Sequence, residues 1–114
     1  MFERKLLTEA LDRAEEILRD SSAGWQNSDA LSRLKATLER IEYYADGNLY
    51  VGEKVAGVEH YAEQLFSPRK HQKYVSSSES GVAVTYRRAN DAIQSIRKWS
   101  DNLAEKEDEN PNQK

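Results

Sequence analysis

Cationic and aromatic side chains cluster in one stretch of this sequence, SPRKHQKYV, which occupies residues 67–75 and contains no acid. Cations interleaved with an aromatic ring can bind an anionic partner, either the phosphates of a nucleic acid or the carboxylates of a protein. Two more arginines follow on the next predicted helix. The candidate partner-binding residues of this segment are Arg69, Lys70, His71, Lys73, Tyr74, Arg87 and Arg88.

Charge is distributed unevenly along the 114 residues. Residues 67–100 carry seven bases and two acids, whereas residues 1–66 carry thirteen acids and eight bases. The formal net charge of the whole chain is −3, although domains dedicated to nucleic acid are usually basic. The positive segment therefore favours an acidic protein as partner. Binding of nucleic acid or a nucleotide by residues 67–88 is the alternative to that partner. A solvated connection without a ligand is the leading interpretation of the segment, ahead of both kinds of partner.

Catalytic and metal-binding patterns are incomplete in this sequence. Cysteine is absent, which excludes disulfides and thiolate metal ligands. A carboxylate-bridged metal pair in a helical bundle needs Glu-x-x-His on two helices, but Gly57 lies three positions before His60, and Pro68 lies three positions before His71. A hydrolytic triad would need one of these histidines and a distant serine. We therefore predict no enzyme, no cofactor and no metal; an enzyme with its site at the bundle end is a weaker alternative.

The elements that must position these residues are amphipathic helices. Apolar residues recur at helical spacing through residues 2–20, and again after a capping residue, Asn27 or Ser28. The sequence Asp46-Gly47-Asn48 ends the second helix, because glycine adopts a positive φ easily. The predicted core stripes are Leu6, Leu7, Ala10, Leu11, Ala14, Ile17 and Leu18 in the first helix and Leu31, Leu34, Leu38, Ile41 and Ala45 in the second.

The third helix is predicted to end near Phe66, because Pro68 disfavours helical geometry at Ser67. Gly52 and Gly57 each weaken this helix by about 1 kcal/mol relative to alanine. The sequence therefore leaves open whether the third helix is continuous through these two glycines. Its predicted core stripe is Val51, Val55, Val58, Ala62, Leu65 and Phe66.

The fourth helix is predicted to begin near Ser77, because Ser76 and Glu79 match the spacing of a capping box. It is predicted to end near Leu103. The polar segment 104–114 has few apolar residues and contains Asn-Pro, so it predicts a frayed helix that passes into an acidic, disordered tail. The predicted core stripe is Val82, Tyr86, Ala89, Ile93, Ile96 and Leu103.

Four amphipathic helices with short connections predict an all-α protein, an antiparallel four-helix bundle with one domain over residues 1–103. One alternative is a three-helix core with a third helix that is broken at its glycines. A second is a dimer that exchanges helices, because the 3-4 seams of the second and fourth helices suit packing within a chain or between chains.

Three tyrosines flank the predicted turn between the second and third helices. Tyr44 lies at the edge of the apolar stripe, and Tyr43 lies about 160° from Ile41 on a helical projection, facing solvent. Exposed tyrosine is enriched at the energetic centres of protein interfaces. Tyr43 and Tyr50 are therefore a second group of candidate partner-binding residues, with rings that merely cap the bundle end as the alternative interpretation.

Together these features predict a small non-enzymatic protein–protein interaction module, of the adaptor, inhibitor or immunity-type class, that associates with itself. Its partner would be another protein, possibly an acidic one, or a second copy. The N-terminus lacks the apolar run of a signal peptide, and no window approaches the roughly 20 apolar residues of a membrane span. A cytoplasmic location without a membrane partner is expected.

Overall fold

The computed structural model describes residues 3–22, 27–66 and 79–109. Within these ranges the chain forms four α-helices: α1 at Arg4–Asp20, α2 at Ser28–Tyr44, α3 at Leu49–Phe66 and α4 at Glu79–Glu109. α1 contacts α2 and α4, and α3 likewise contacts α2 and α4. The predicted all-α helical bundle is confirmed. Among these helices, none combines the length and the apolar character that crossing a membrane would require.

The predicted apolar stripes form one shared core. The stripe of α3 is buried throughout, and α1 buries every predicted residue except Leu6. Leu6 is 40% exposed, which corrects its assignment to the core; it lies at the edge of the apolar arc and one turn from the helix start. In α2, Leu31 is only partly buried, and in α4 the same holds for Val82, Tyr86 and Leu103. The core of the described residues thus runs along most of α1 and α3 and includes the facing residues of α2 and α4.

The seams that suggested a helix-exchanging dimer are satisfied within one chain. Leu34, Leu38 and Ile41 of α2 are buried against the common core, as are Ile93 and Ile96 of α4. These seam residues have apolar neighbours in the single chain. A helix-exchanging dimer would make the same contacts with helices of a second copy, so it stays a prediction.

Helix α3 is continuous through both of its glycines, so the alternative of a third helix broken at these positions is wrong. A Cβ atom built on Gly57 has nothing within 4 Å, and one built on Gly52 would lie 3.6 Å from the Glu42 carboxylate, an ordinary contact. Close helix packing does not require either glycine. Both are tolerated because the buried valine stripe supplies the stabilisation that the glycines lack.

We expect the substitution Gly57→Ala to stabilise the protein by about 1 kcal/mol, the difference in helix propensity between the two residues. The new methyl group enters open space, so no steric cost offsets this gain. Denaturant unfolding measures the change. Gly47→Ala is the opposite control, because Gly47 has a φ of +68° and should lose about 1–2 kcal/mol on gaining a side chain. A loss of stability in Gly57→Ala would mean that α3 is packed more tightly at this point.

The helix ends differ from the predictions in two details. Asn27 occupies the cap position of α2 but makes no capping hydrogen bond; its side-chain amide instead donates to the Ser22 carbonyl. Helix α4 continues past Leu103 to Glu109. The predicted capping box from Ser76 and the last residues of the tail, 110–114, lie outside the described residues.

Candidate interaction surface

Large apolar side chains are exposed at one end of the bundle, where α2 meets α3. Tyr43 is 77% exposed, Leu49 is 86% exposed and Tyr50 is 43% exposed. We call this surface the tyrosine end and define it by these three residues. The sequence predicted the exposure of Tyr43 and its position near Tyr50. It did not single out Leu49, which lies two residues before Val51 and therefore about 160° from the buried stripe.

A tight turn holds the tyrosine end in place. The Gly47 amide donates to the Glu42 carbonyl at 3.1 Å, and the Asp46 amide donates to the Tyr43 carbonyl at 3.0 Å. This pair of bonds is the Schellman pattern that closes a helix. Asp46 has a φ of +59° and Gly47 has a φ of +68°. The sequence predicted a positive φ at Gly47 alone, but both residues adopt one to close α2.

The start of α3 and the start of α1 are fixed to the same end. The Asn48 side-chain oxygen accepts a bond from the Val51 amide at 3.1 Å, which caps α3. The Glu3 amide donates to the Tyr44 carbonyl at 2.8 Å, which ties the beginning of α1 to the end of α2. The backbone under the exposed rings is thus hydrogen-bonded on both sides, and a partner would meet a preorganised surface.

Carboxylates lie beside the exposed rings. Glu3, Glu42 and Asp46 line a shallow depression next to Tyr43, and both Glu3 and Glu42 are exposed. The Lys54 ammonium lies 5.3 Å from the centre of the Tyr50 ring, within the range of a cation–π contact. The Tyr43 ring meets Tyr44 edge to face, with 5.7 Å between centroids. Rings and carboxylates together make a surface that suits a cationic partner.

The predicted cations lie elsewhere. Arg87 and Arg88 are both exposed on α4, but they face different sides of that helix. Arg87 lines a shallow groove with Leu18 and Arg19 of α1, whereas Arg88 lines a groove that includes Tyr61 of α3. The other predicted cations and their neighbours, Arg69, Lys70, His71, Lys73 and Tyr74, lie outside the described residues.

Helix α4 is tied to the ends of α1 and α3 just before these arginines. The Tyr86 hydroxyl donates to the Ser21 carbonyl, and its ring meets Phe66 edge to face at 6.3 Å between centroids. Burial raises the pKa of Tyr86 above its ordinary value of 10.0, so the hydroxyl keeps its proton as a hydrogen-bond donor. We call this region the basic end and define it by Arg19 and Arg87, which line the same groove; the Arg19 guanidinium also lies 3.3 Å from the Asp20 carboxylate.

The tyrosine end and the basic end are at opposite ends of the bundle. The first turn of α1 contacts the last residues of α2, and Arg4 lies 3.7 Å from Asp101. The last turn of α1 instead contacts Tyr86. Helix α1 has 17 residues, so the two ends are about 25 Å apart at 1.5 Å per residue. The two groups of predicted site residues therefore do not form one site within a chain.

A charged cluster joins α1 to α4 between the two ends. The Arg97 guanidinium lies 2.7 Å from the Glu15 carboxylate and 2.9 Å from the Asp12 carboxylate, and Gln94 also donates to Glu15. Burial alone would lower the pKa of Arg97, but its bonds and charge contacts with Glu15 and Asp12 outweigh that effect and raise it. The cluster is a structural contact between α1 and α4, since it pairs Arg97 of α4 with two carboxylates of α1.

The described residues offer little for chemistry. No group of three or more His, Asp or Glu side chains is arranged to hold a metal ion within residues 3–22, 27–66 and 79–109. His60 is exposed as predicted, and its Nε2 atom lies 2.9 Å from the Gln64 amide nitrogen. The grooves described above are open to solvent along one side.

Comparison with known proteins adds no functional information. No family model matches this chain, and no curated protein and no solved structure matches it either.

Proposed function

We propose that this chain is a non-enzymatic protein–protein interaction module that associates with itself, and that the tyrosine end is a contact surface. The observation that carries the proposal is the exposure of Tyr43 and Leu49, at 77% and 86%, on a hydrogen-bonded turn. Apolar side chains grouped in this way gain free energy when a partner removes them from water, at about 25 cal/mol per Å² of buried apolar surface.

Three features support binding as the role of this surface. Tyrosine is enriched among the residues that contribute most to interface affinity. The ring and the leucine are held by a rigid backbone, so little conformational entropy is lost on binding. The carboxylates of Glu3 and Glu42 at the rim supply charge that selects a partner. Nucleic-acid binding by residues 67–88 stays the alternative that the sequence predicted.

Sedimentation across a concentration series tests the proposal. We expect the average mass of the wild-type chain to rise above 13.1 kDa with concentration, while the double variant Tyr43→Ala/Leu49→Ala stays monomeric. Both substitutions remove exposed side chains, so helicity should be retained. The matched control is Ser32→Ala/Glu39→Ala, which changes two exposed positions on the outer face of α2 and should behave as wild type.

Two results would contradict this function. A wild-type chain that stays at 13.1 kDa at millimolar concentration would exclude self-association. A Tyr43→Ala/Leu49→Ala variant that associates as strongly as the wild type would show that contact is made through another surface.

A further inference from the structure

We propose that two copies of this chain associate through their tyrosine ends about a twofold axis, with the α2 side of each end facing the α3 side of the other. This inference rests on the proposed function and specifies both the partner, a second copy, and the surface that this partner offers. In a twofold contact the same patch is used on both copies, so the assembly closes at a dimer.

Exposed apolar side chains are confined to this end of the bundle. The four large apolar side chains that are exposed among the described residues are Leu6, Tyr43, Leu49 and Tyr50. Leu6 lies in the first turn of α1 and lines a groove with Tyr44, so it belongs to the same end. An apolar patch gains most when another apolar patch covers it, because a polar surface would have to give up its hydration. Among the described side chains no second cluster of this kind is exposed, which favours the tyrosine end of another copy as the cover.

The two sides of the tyrosine end present complementary groups. On the α2 side, the exposed carboxylates of Glu3 and Glu42 line a depression beside Tyr43. On the α3 side, the Lys54 ammonium lies 5.3 Å from the centre of the Tyr50 ring. A cation that lies on an exposed ring can contact a carboxylate and a second ring at the same time. Each copy therefore carries both halves of the contact.

The cation and the acids lie on different sides of α3. Gly52 faces the Glu42 carboxylate of α2, whereas Lys54 lines a groove with side chains of α4. Glu53 is also exposed on α3, but as the residue before Lys54 it points about 100° away around the helix. This separation keeps Lys54 from neutralising the depression of its own chain and leaves it for the depression of a second copy.

A twofold axis that runs between α2 and α3 brings the complementary groups together. It sets Tyr43 and the depression of one copy against Tyr50 and Lys54 of the other, and it repeats the same contact on its other side. The two depressions lie apart in this arrangement. The carboxylates of Glu3 and Glu42 in one copy are then not placed against those of the second, which like-charge repulsion would oppose.

Helix α4 restricts the contact to the corner formed by α2 and α3. The Arg4 guanidinium at the start of α1 lies 3.7 Å from the Asp101 carboxylate, which marks the level of the tyrosine end on α4. From Asp101 the helix continues to Glu109, a distance of about 12 Å at roughly 1.5 Å per residue. This extension lies beside α1 and α3 and prevents a flat contact over the whole end. The two bundles should therefore meet with their axes inclined.

The size of this corner indicates a weak dimer. The Cα atoms extend over 56 × 23 × 22 Å, and contact over part of an end of this cross-section buries less than about 1,000 Å² in total, below the range of stable complexes. We therefore expect association at micromolar or higher concentrations. The average mass of the wild type should approach twice 13.1 kDa and rise no further, because a twofold contact leaves no copy of the surface free.

Mixing two charge-reversed variants tests the arrangement in sedimentation experiments. Glu42→Lys makes the depression more cationic, and Lys54→Glu replaces the cation of the opposite side by an acid. Each variant alone should dimerise at least about tenfold more weakly than the wild type, because like charges meet on both sides of the axis. Their equimolar mixture should recover the wild-type affinity to within about threefold and form only dimers, since every contact in a mixed dimer joins opposite charges.

The matched control reverses charges outside the tyrosine end. Glu39→Lys and Arg88→Glu change one exposed acid of α2 and one exposed cation of α4. These two variants should dimerise as the wild type does, alone and mixed. Circular dichroism of each variant checks folding. If Glu42→Lys unfolds the chain, Glu3→Lys replaces it, because Glu3 lines the same depression.

Three results would overturn the twofold contact and leave the proposed function in place. The first is a wild-type mass that rises beyond the dimer. The second is uptake of the labelled variant Tyr43→Ala/Leu49→Ala, monomeric on its own, into the wild-type assembly, because contact would then not need two tyrosine ends. The third is a mixture of Glu42→Lys and Lys54→Glu that associates no more strongly than its components. A wild type that never associates would remove the proposed function and this inference together.

Discussion

Replacing Leu34 or Ile93 by alanine should lower the free energy of unfolding by about 2–5 kcal/mol. Both side chains are fully buried at the centre of the bundle, Leu34 in α2 and Ile93 in α4. The loss has two parts. One is the transfer free energy of the removed methyl groups, and the other is the energetic cost of the cavity that the rigid neighbours do not fill. For a domain of this size it corresponds to a drop in melting temperature of roughly 10–20 °C.

The same truncation at an exposed site is the matched control for this prediction. Leu49→Ala removes the same atoms as Leu34→Ala, but Leu49 is 86% exposed, so its loss should change the melting temperature by only a few degrees. Thermal unfolding followed by circular dichroism compares the two variants directly. Equal melting temperatures for Leu34→Ala and Leu49→Ala would mean that the core does not pack around Leu34.

The sequence predicts which face of each helix is buried better than it predicts where a helix ends. Helical periodicity alone identifies the stripe of α3, because Val51, Val55 and Val58 recur at spacings that only one face can accommodate. The ends depend on single residues and on neighbours. Leu6 has the periodicity of a core residue but lies at the edge of the arc. Helix α4 continues past Leu103 to Glu109, although Ala104 is the only apolar residue in that extension.

Contacts between distant residues could not be predicted from the pattern. The bonds from Arg97 to Asp12 and Glu15 join residues more than 80 positions apart, and in the sequence these side chains are three among many exposed charges. The positive φ of Asp46 could not be predicted either, because only the turn that closes α2 requires it. The exposure of Tyr43 was predictable, whereas the separation of Tyr43 from Arg87 and Arg88 required the arrangement of the helices.

Replacing Phe66 by alanine should cost about 3–5 kcal/mol, the largest loss expected from one truncation in the described core. Phe66 is the last residue of α3, is fully buried, and is among the largest side chains of the core. Its ring meets Tyr86 at 6.3 Å between centroids with an angle of 73° between the planes. The substitution therefore opens a cavity and also removes an aromatic pair that joins α3 to α4.

A double-mutant cycle separates these two contributions. Phe66→Leu keeps most of the buried volume, and Tyr86→Leu removes the partner ring. If the ring contact adds to burial, the double variant should be more stable than the sum of the single losses predicts, by about 0.5–1.5 kcal/mol. Tyr86→Phe keeps the ring and loses only the hydroxyl bond to Ser21, at about 0.5–1.5 kcal/mol.

Hydrogen exchange shows whether Phe66 holds the whole bundle or only the basic end. In Phe66→Ala we expect protection to fall first in the last turn of α3 and in the early part of α4, because these elements meet at the Phe66–Tyr86 contact. Protection near Leu34 and Ile41 should fall only as far as the global stability falls. Uniform loss of protection would mean that the bundle unfolds as one unit. An unchanged melting temperature would show that the Phe66 ring is not packed in the core.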